Sequence, residues 1–393
     1  MCPALTIYLD NNATTRPLPE VVEGVERALR EFWHNPSSSH RLGQAARHRV
    51  ELARASVASL LNAKPAEVVF TSGATESISM AIRGTLAAHP TRKTVITSTI
   101  EHEAVRDLLR SLEKHQGVVV RTLPIGLSGA VNPADLVPLL DDSVAIVSVM
   151  WANNETGIIQ PIDELGAICR DRGVIFHSDA TQAVGKINTD LGRTVPPCDL
   201  LSLSGHKLHA PKGIGALWAR RGVTLVTQTP GKQERERRGG TENTAGITGL
   251  GIACERAHQW LKNPENPARI AKLRGRLEQG ILARVEGSRV NAGGGEAPRL
   301  WNTTNIAFPK LESEALLFLL SERGVCASAG AACSSGSLDP SPILRAMGVP
   351  DEMAHGSVRF SLSRDTAEAE IDGALEVIPA CVERLRASAT SVR

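Results

Sequence analysis

Two stretches decide how this chain folds: Val174-Ile175-Phe176-His177-Ser178-Asp179-Ala180-Thr181-Gln182 and, shortly after, Asp199-Leu200-Leu201-Ser202-Leu203-Ser204-Gly205-His206-Lys207. Each is a short apolar run that breaks off into polar and small residues, the pattern of a buried strand ending in a functional loop. Working outward from strands at 174–177 and 199–203, further strand candidates fall at 67–71, 94–98, 118–123, 144–150 and 215–219. Amphipathic stretches at 76–87, 102–114 and 163–172 read as intervening helices, and 44–61 as a helix outside the sheet or at its edge. Such alternation predicts βα units around a mostly parallel sheet, an α/β fold. After a helical run at 245–261, the polar segment 262–267 holds two prolines and reads as a hinge or boundary. Beyond it, helices at 269–285 and 313–323 and strands at 303–308 and 358–361 predict a smaller α+β domain.

The 393 residues suit two or three domains. With 42% hydrophobic and 22% charged residues, the composition is that of a globular protein, not a disordered chain or fibrous repeat. Forty-four basic against 42 acidic residues leave +2, too weak a field to favour nucleic acid or an anionic membrane as partner. No apolar run of about 18 residues marks a membrane span. Residues 1–12 lack the basic and long apolar regions of a secretory signal. The seven cysteines form no Cys-x-x-Cys pair, which predicts reduced thiols in a cytoplasm. Cys169, Cys254 and Cys381 lie in helix-like stretches and read as small buried apolar residues.

In open α/β sheets, ligands bind beyond the carboxyl ends of the strands. Thr71-Ser72-Gly73-Ala74-Thr75-Glu76-Ser77 runs from a strand into a helix, and its small residues let backbone N–H groups close around an anion at the helix N-terminus. Taken alone, the segment is equally well a capped helix start. The segment 180–186 resembles the end of a P-loop, but its first glycine is missing and Ile187 stands in place of Ser or Thr. Other strand ends carry Glu101-His102-Glu103, Asn153-Asn154-Glu155, His177-Ser178-Asp179 and Ser204-Gly205-His206-Lys207. Together these gather a carboxylate, a lysine, imidazoles and amides on one sheet edge. Asp179 and Lys207, one strand apart, match what pyridoxal phosphate (PLP) chemistry needs: an acid to keep the pyridinium nitrogen protonated and an amine to form a Schiff base. A lysine near other cations and partly desolvated titrates below about 10.4, which makes it a usable nucleophile and base.

The chain resembles the cysteine desulfurases of the NifS/IscS type, within the class V aminotransferases, and most of all the nitrogen-fixation NifS branch. The motifs that carry the resemblance run from Tyr8-Leu9-Asp10-Asn11-Asn12-Ala13-Thr14-Thr15 and Asn35-Pro36-Ser37-Ser38 through the strand ends above. They continue with Gly240-Thr241-Glu242-Asn243, Ala332-Cys333-Ser334-Ser335-Gly336-Ser337 and Val358-Arg359-Phe360-Ser361. The resemblance implies the PLP-dependent transferase fold, like that of aspartate aminotransferase, with a large PLP-binding domain at 16–261. A small domain of 1–15 and 262–393 would carry the catalytic cysteine loop. It further implies that Lys207 holds the cofactor, Asp179 pairs with the ring nitrogen, and His102 stacks on the ring and moves protons. Gln182 and Asn154 would contact the ring oxygen or the substrate carboxylate. Ala74, Thr75, Ser204 and His206 would hold the phosphate, with Thr241 supplied across a homodimer. Arg359 would grip the substrate carboxylate through a bidentate pair.

Cys326 and Cys333 pose the question of which thiol reacts. A metal pair is one reading, but neither has a partner at zinc spacing. Cys333 sits among small residues at 328–337 that suit a tether, whereas Cys326 reads as packed. The family's catalytic cysteine aligns with Cys333, in the long-loop group, although Ala329 and Ala331 stand where relatives often have serines. The implied reaction takes L-cysteine to L-alanine: Lys207 removes the α-proton and Cys333, as thiolate, attacks the substrate sulfur and keeps it as a persulfide. A free thiol is only a few per cent ionised near neutrality, so His102 is the expected proton acceptor. The implied sulfur acceptor is an iron-sulfur scaffold of NifU type serving nitrogenase; no resident metal is expected beyond a transient cluster at Cys333. Rival readings are another PLP-dependent aminotransferase or lyase, which would not need Cys333, and a non-catalytic sulfur or iron carrier. The mixed-charge run at 232–238, with Glu234 and Glu236 interleaved, reads as a solvated loop.

Overall fold

The structure is a computed structural model that describes residues 6–291, 297–329 and 340–390. Its centre is a seven-stranded sheet made of β2 (Val68–Thr71), β3 (Thr94–Ser98), β4 (Val119–Leu123), β5 (Val144–Ser148), β6 (Ile175–Asp179), β7 (Leu200–Ser204) and β8 (Gly215–Ala219). The order is β2-β8-β7-β6-β5-β3-β4. Only β8 runs antiparallel to its neighbours, β2 and β7. Strands β2, β3, β5, β7 and β8 are buried along their whole length, as strands covered on both faces must be, and this explains their unbroken apolar runs. Alternate side chains feed two cores. Val68, Phe70, Leu201, Leu203, Ala216 and Trp218 face α2 (Arg41–Leu60), α5 (Ile162–Asp171) and α6 (Thr244–Leu261). Val69, Leu200 and Leu217 face α3 (Ala74–Ala88) and α4 (Glu103–Gln116). The expected strands and helices are present here, β3 and β8 with the expected bounds and the others with ends displaced by at most three residues.

A separate core joins both ends of the chain. Ile7 of β1 (Ile7–Tyr8) and Leu9 pack with α7 (Glu265–Arg284), β10 (Thr303–Ala307), α8 (Ser313–Glu322), β12 (Ser357–Ser361) and α11 (Glu368–Thr390). Here β12-β10-β9 form an antiparallel sheet, β9 being Arg289–Val290, and β1 pairs in parallel with β11 (Val325–Cys326). Short helices α9 (Pro342–Ala346) and α10 (Asp351–His355) and the long α1 (Pro19–Glu31) complete the described elements. Among the described residues, no helix is long and apolar enough to cross a membrane.

Two expectations need correction. The stretch 262–267 is not an extended hinge: α6 ends at Leu261 and α7 begins at Glu265, with Pro264 at its N-cap and Pro267 in its first turn. The first turn of a helix has no intrahelical acceptors for its N–H groups, so proline loses nothing there. The run at 232–238 is not simply solvated, because Glu234 is buried against Arg54.

Gly166 shows how tightly α5 seats on the sheet. A Cβ there would overlap the Pro197 carbonyl oxygen, which is backbone and cannot swing away. Gly166→Ala is expected to lower the unfolding free energy by about 1–3 kcal/mol from overpacking, despite alanine's better helix propensity. Urea denaturation measures it, and an unchanged midpoint would show that α5 can retreat.

Candidate active site

The carboxyl ends of β3, β5, β6 and β7 open into one cleft of about 530 Å³. Asp179 closes β6 and is 4% exposed. Its Oδ1 accepts from the Thr181 backbone N (3.0 Å) and hydroxyl, while no hydrogen bond among the described residues reaches Oδ2. Lys207 ends the 3-10 turn that follows β7, and its Nζ donates to the carbonyls of Asn12 (2.6 Å) and Ala13 (2.7 Å). The acid, at the end of β6, and the amine, just after β7, thus lie at neighbouring strand ends because β6 and β7 pair in parallel.

His102 caps α4, its Nδ1 accepting from the Ala104 backbone N at 3.1 Å. Burial, aided by Lys207 and opposed by Asp179, holds its pKa below the usual imidazole value. The ring is therefore neutral near pH 7 and, with Nδ1 accepting, carries its proton on Nε2. His206, whose Nδ1 lies 3.1 Å from the Thr14 hydroxyl, is pushed down to about 4 by burial and by Lys207, Lys212 and His102.

At the start of α3, Gly73, Ala74 and Thr75 line the cleft together with Ser204 and His206. Gly73 lies so near β8 that a Cβ on Gly215 would come within 2.7 Å of its Cα, so the approach demands glycine. Backbone N–H groups at this helix end are unsatisfied by the helix itself and suit a phosphate. Glu76 in the same turn would oppose an anion. Burial raises its pKa, but Arg238 at 2.9 Å and Ser72 outweigh that and keep it ionised and paired.

Arg359 enters from β12 at 1% exposure. Its Nη2 meets Asp10 Oδ1 at 2.7 Å and its Nη1 donates to the Asn154 carbonyl at 3.2 Å. Asn154 Oδ1 is buried without a hydrogen-bond partner among the described residues. Gln182 donates from Nε2 to the Asn12 carbonyl at 3.0 Å and accepts from Lys186 Nζ through Oε1. The open Asp179 Oδ2, the orphaned Asn154 Oδ1 and the N-terminus of α3 fit PLP. Asp179 would hold its ring nitrogen, Lys207 its aldehyde carbon, and α3 with Ser204 and His206 its phosphate.

Ten of the anticipated residues line this cleft: Ala74, Thr75, His102, Asn154, Asp179, Gln182, Ser204, His206, Lys207 and Arg359. Thr241 is exposed and is not among the lining residues. Cys333 lies outside the described residues. His177, grouped with the polar strand ends by the sequence, is a core residue: fully buried, it bridges the Ser148 (2.8 Å) and Ser202 (2.9 Å) hydroxyls, and burial drives its pKa to about 4. Sequence reasoning missed Lys186 and the role of Asn12. Asn12 stood inside a quoted motif, but nothing local signals that its backbone and amide are shared by both sheets. Glu101 is fully buried at the cleft wall, accepting from Ser98 and from the Met150 backbone N (2.9 Å) through Oε1. Burial and nearby Asp179 push its carboxyl up to about 8.

Residues 7–373 match the family model described as Aminotransferase class-V. The chain is 49% identical to cysteine desulfurase NifS of Azotobacter vinelandii over 97% of its own length and 93% of that protein. It is 49% identical to cysteine desulfurase 2 of Trichormus variabilis, covering 97% and 94%. Among solved structures, a NifS-like protein superposes with a TM-score of 0.88 at 34% identity, covering 96% of this chain and all of the other. SspA, solved in complex with cysteine, gives 0.80 at 32% identity, covering 92% of this chain and 100% of its own. Fold and site together define a PLP-dependent enzyme, and the chain belongs to the class V aminotransferase family. Within that family, the two sequence relatives are named cysteine desulfurases, one of them NifS, and one of the two solved structures is named NifS-like.

Glu101 gives this site a measurable pH signature. Between about 4.5 and about 8 the folded protein keeps a proton that the unfolded chain has lost, so this group lowers stability as pH rises through that window. Glu101→Gln, which mimics the protonated acid, is therefore expected to gain on the parent protein in Tm from pH 5 to pH 8. A Tm difference that is flat with pH would mean the carboxyl is ionised throughout.

Proposed function

We propose that the chain is a cysteine desulfurase that takes L-cysteine to L-alanine and passes the sulfur, as a persulfide on Cys333, to an acceptor protein. The observation that carries this reading is the joint presence in one cleft of Asp179, Lys207 and Arg359, an acid, an amine and a guanidinium from different strands. When bound, PLP would supply an electron sink for the α-carbon that loses its proton, and so would allow the adjacent β-carbon to give up its sulfur. Arg359 is preset by Asp10 and Asn154 to receive the substrate carboxylate. Lys207 Nζ, poised between two carbonyls, is the amine that removes the α-proton. His102 is neutral and carries a proton on Nε2, so it donates first and accepts only after handing that proton on. The Cys333 thiolate attacks the substrate sulfur; the C–S bond breaks with its electron pair left on the β-carbon, that carbon takes up a proton, and the α-carbon regains the one it lost, which leaves alanine.

The choice of Cys333 is supported by the state of four other thiols, whereas Cys326, expected to be packed, is partly exposed at the end of β11. Burial pushes Cys169 up to about 12 and raises Cys198, Cys254 and Cys381 as well, so none of these is a nucleophile near neutrality. These reduced, inert thiols also suit a cytoplasmic enzyme. The separate core shared by both chain ends supports a large domain at 16–261 and a small one at 1–15 with 262–393. Thr241 is read as serving the phosphate of a second subunit in a homodimer. The NifS-type relatives favour a NifU-like scaffold and iron-sulfur assembly for nitrogenase as the destination of the sulfur.

Purified Cys333→Ala enzyme is expected to keep the yellow colour of bound PLP and lose sulfide release from L-cysteine, while Lys207→Ala loses the lysine-bound colour. Full desulfurase activity in Cys333→Ala would show that another thiol acts, and a colourless parent protein indifferent to added PLP would remove the whole reading.

A further inference from the structure

The segment Gln233–Glu236 is folded against its own chemistry. Glu234 (φ 47°, ψ 34°), Arg235 (φ 58°, ψ 46°) and Glu236 (φ 65°) are three successive residues in the left-handed region, and none is glycine. L residues are unfavourable there because Cβ crowds the carbonyl oxygen, and such residues persist only where their surroundings over-determine them. What over-determines them is a buried ion pair. Arg54 Nη1 and Nη2 meet the two Glu234 oxygens at 2.7 and 2.8 Å, with side chains 6% and 2% exposed. Glu234 also accepts from the Phe70 backbone N at 2.8 Å, Arg54 donates to the Val68 carbonyl at 3.0 Å, and the guanidinium sits 4.6 Å from the Phe70 ring centre. The turn is thus riveted to β2, the strand that leads into the phosphate end of the cleft.

The rivet is tied forward as well. Gln233 Oε1 accepts from the Gly240 backbone N at 3.1 Å, and the Thr229 carbonyl from Gly239 N at 2.7 Å. Arg238 reaches Glu76 in the first turn of α3 at 2.9 Å. Gly239 is packed so closely on Pro230 and Gly231 that a Cβ would strike their backbone. Every tie fixes the backbone immediately before Thr241, which is left exposed. A buried charge pair by itself is weak support for stability, since desolvation offsets much of its attraction. One that maintains an unfavourable turn beside a functional loop calls for a positional explanation.

We propose that the Arg54–Glu234 pair is a positioning clamp, holding residues 233–236 in a left-handed turn so that Arg238 docks on α3 and Thr241 is presented outward to the cofactor phosphate of a second copy of this chain. The proposal rests on the reading of Thr241 given above; Arg54 and Glu234 are positioning residues that touch neither cofactor nor substrate.

A double-mutant cycle on the PLP-loaded enzyme tests it, reading the PLP dissociation constant after gel filtration, with circular dichroism as a check on folding. Thr241→Val is expected to weaken PLP retention by roughly tenfold or more, as loss of a hydrogen bond to a charged group does. Glu234→Gln should weaken it by a similar factor in the parent, but less than about twofold in the Thr241→Val background, because coupled residues are not additive. Factors that simply multiply, or a folded Glu234→Gln enzyme with unaltered retention, would overturn the clamp and leave the Thr241 reading intact. No effect of Thr241→Val would remove the Thr241 reading itself, and the clamp with it. Should Glu234→Gln fail to fold, Arg54→Lys, which keeps the charge but cannot meet both Glu234 oxygens as a fork, replaces it in the same cycle with the same expected coupling.

Discussion

Asn12 is the residue through which the two parts of this molecule hold one another. At 1% exposure it has no water to fall back on, so every polar atom it carries must be satisfied within the protein. Its backbone N donates to Ser361 Oγ at 2.9 Å, and its Nδ2 donates to Thr303 Oγ1 at 2.8 Å and to the Asn154 carbonyl at 3.0 Å. Its Oδ1 accepts from Lys186 at 3.1 Å and Asn302 at 3.0 Å, and its carbonyl accepts from Gln182 and Lys207. One short side chain therefore fixes the antiparallel sheet that carries Arg359 relative to the parallel sheet that carries Lys207. The separation of the Arg359 guanidinium from the Lys207 amine across the cleft is set there.

That arrangement explains why the chain begins in one core and then crosses to the other. Ile7 and Leu9 are buried with the C-terminal elements, and three residues after Leu9 the backbone already accepts a hydrogen bond from Lys207. Asp10, between them, lends Arg359 a carboxylate that orients its guanidinium before any substrate arrives. Lys186 is a buried amine near Lys207, and burial together with Lys207 and Arg359 drives its pKa well below the ordinary lysine range. Its near neighbours are amide oxygens, so it acts on Gln182 and Asn12 by hydrogen bonding.

Much of this was legible in the sequence, because strand-end chemistry in a parallel sheet is written locally. An unbroken apolar run followed by Asp179 or by Lys207 places each group, and the pairing of β6 with β7 brings them together. What escaped was information held by tertiary contacts. His177 has the same local pattern as a strand-end ligand, yet the serine hydroxyls on both neighbouring strands make it a core group. Glu234 looked like one of several solvated charges because its partner, Arg54, lies 180 positions away. Pro264 and Pro267 read as a linker since proline marks helix starts and loops alike. Thr241 was placed by family resemblance alone, and one chain does not bring it into the cleft.

The deeply buried cysteines carry a last implication. A protein that handles sulfane sulfur risks indiscriminate exchange with any thiolate it contains, since exchange begins with attack by the ionised form. By keeping Cys169, Cys198 and Cys254 protonated inside apolar packing, the fold insulates its own interior from the reactive cargo at its surface.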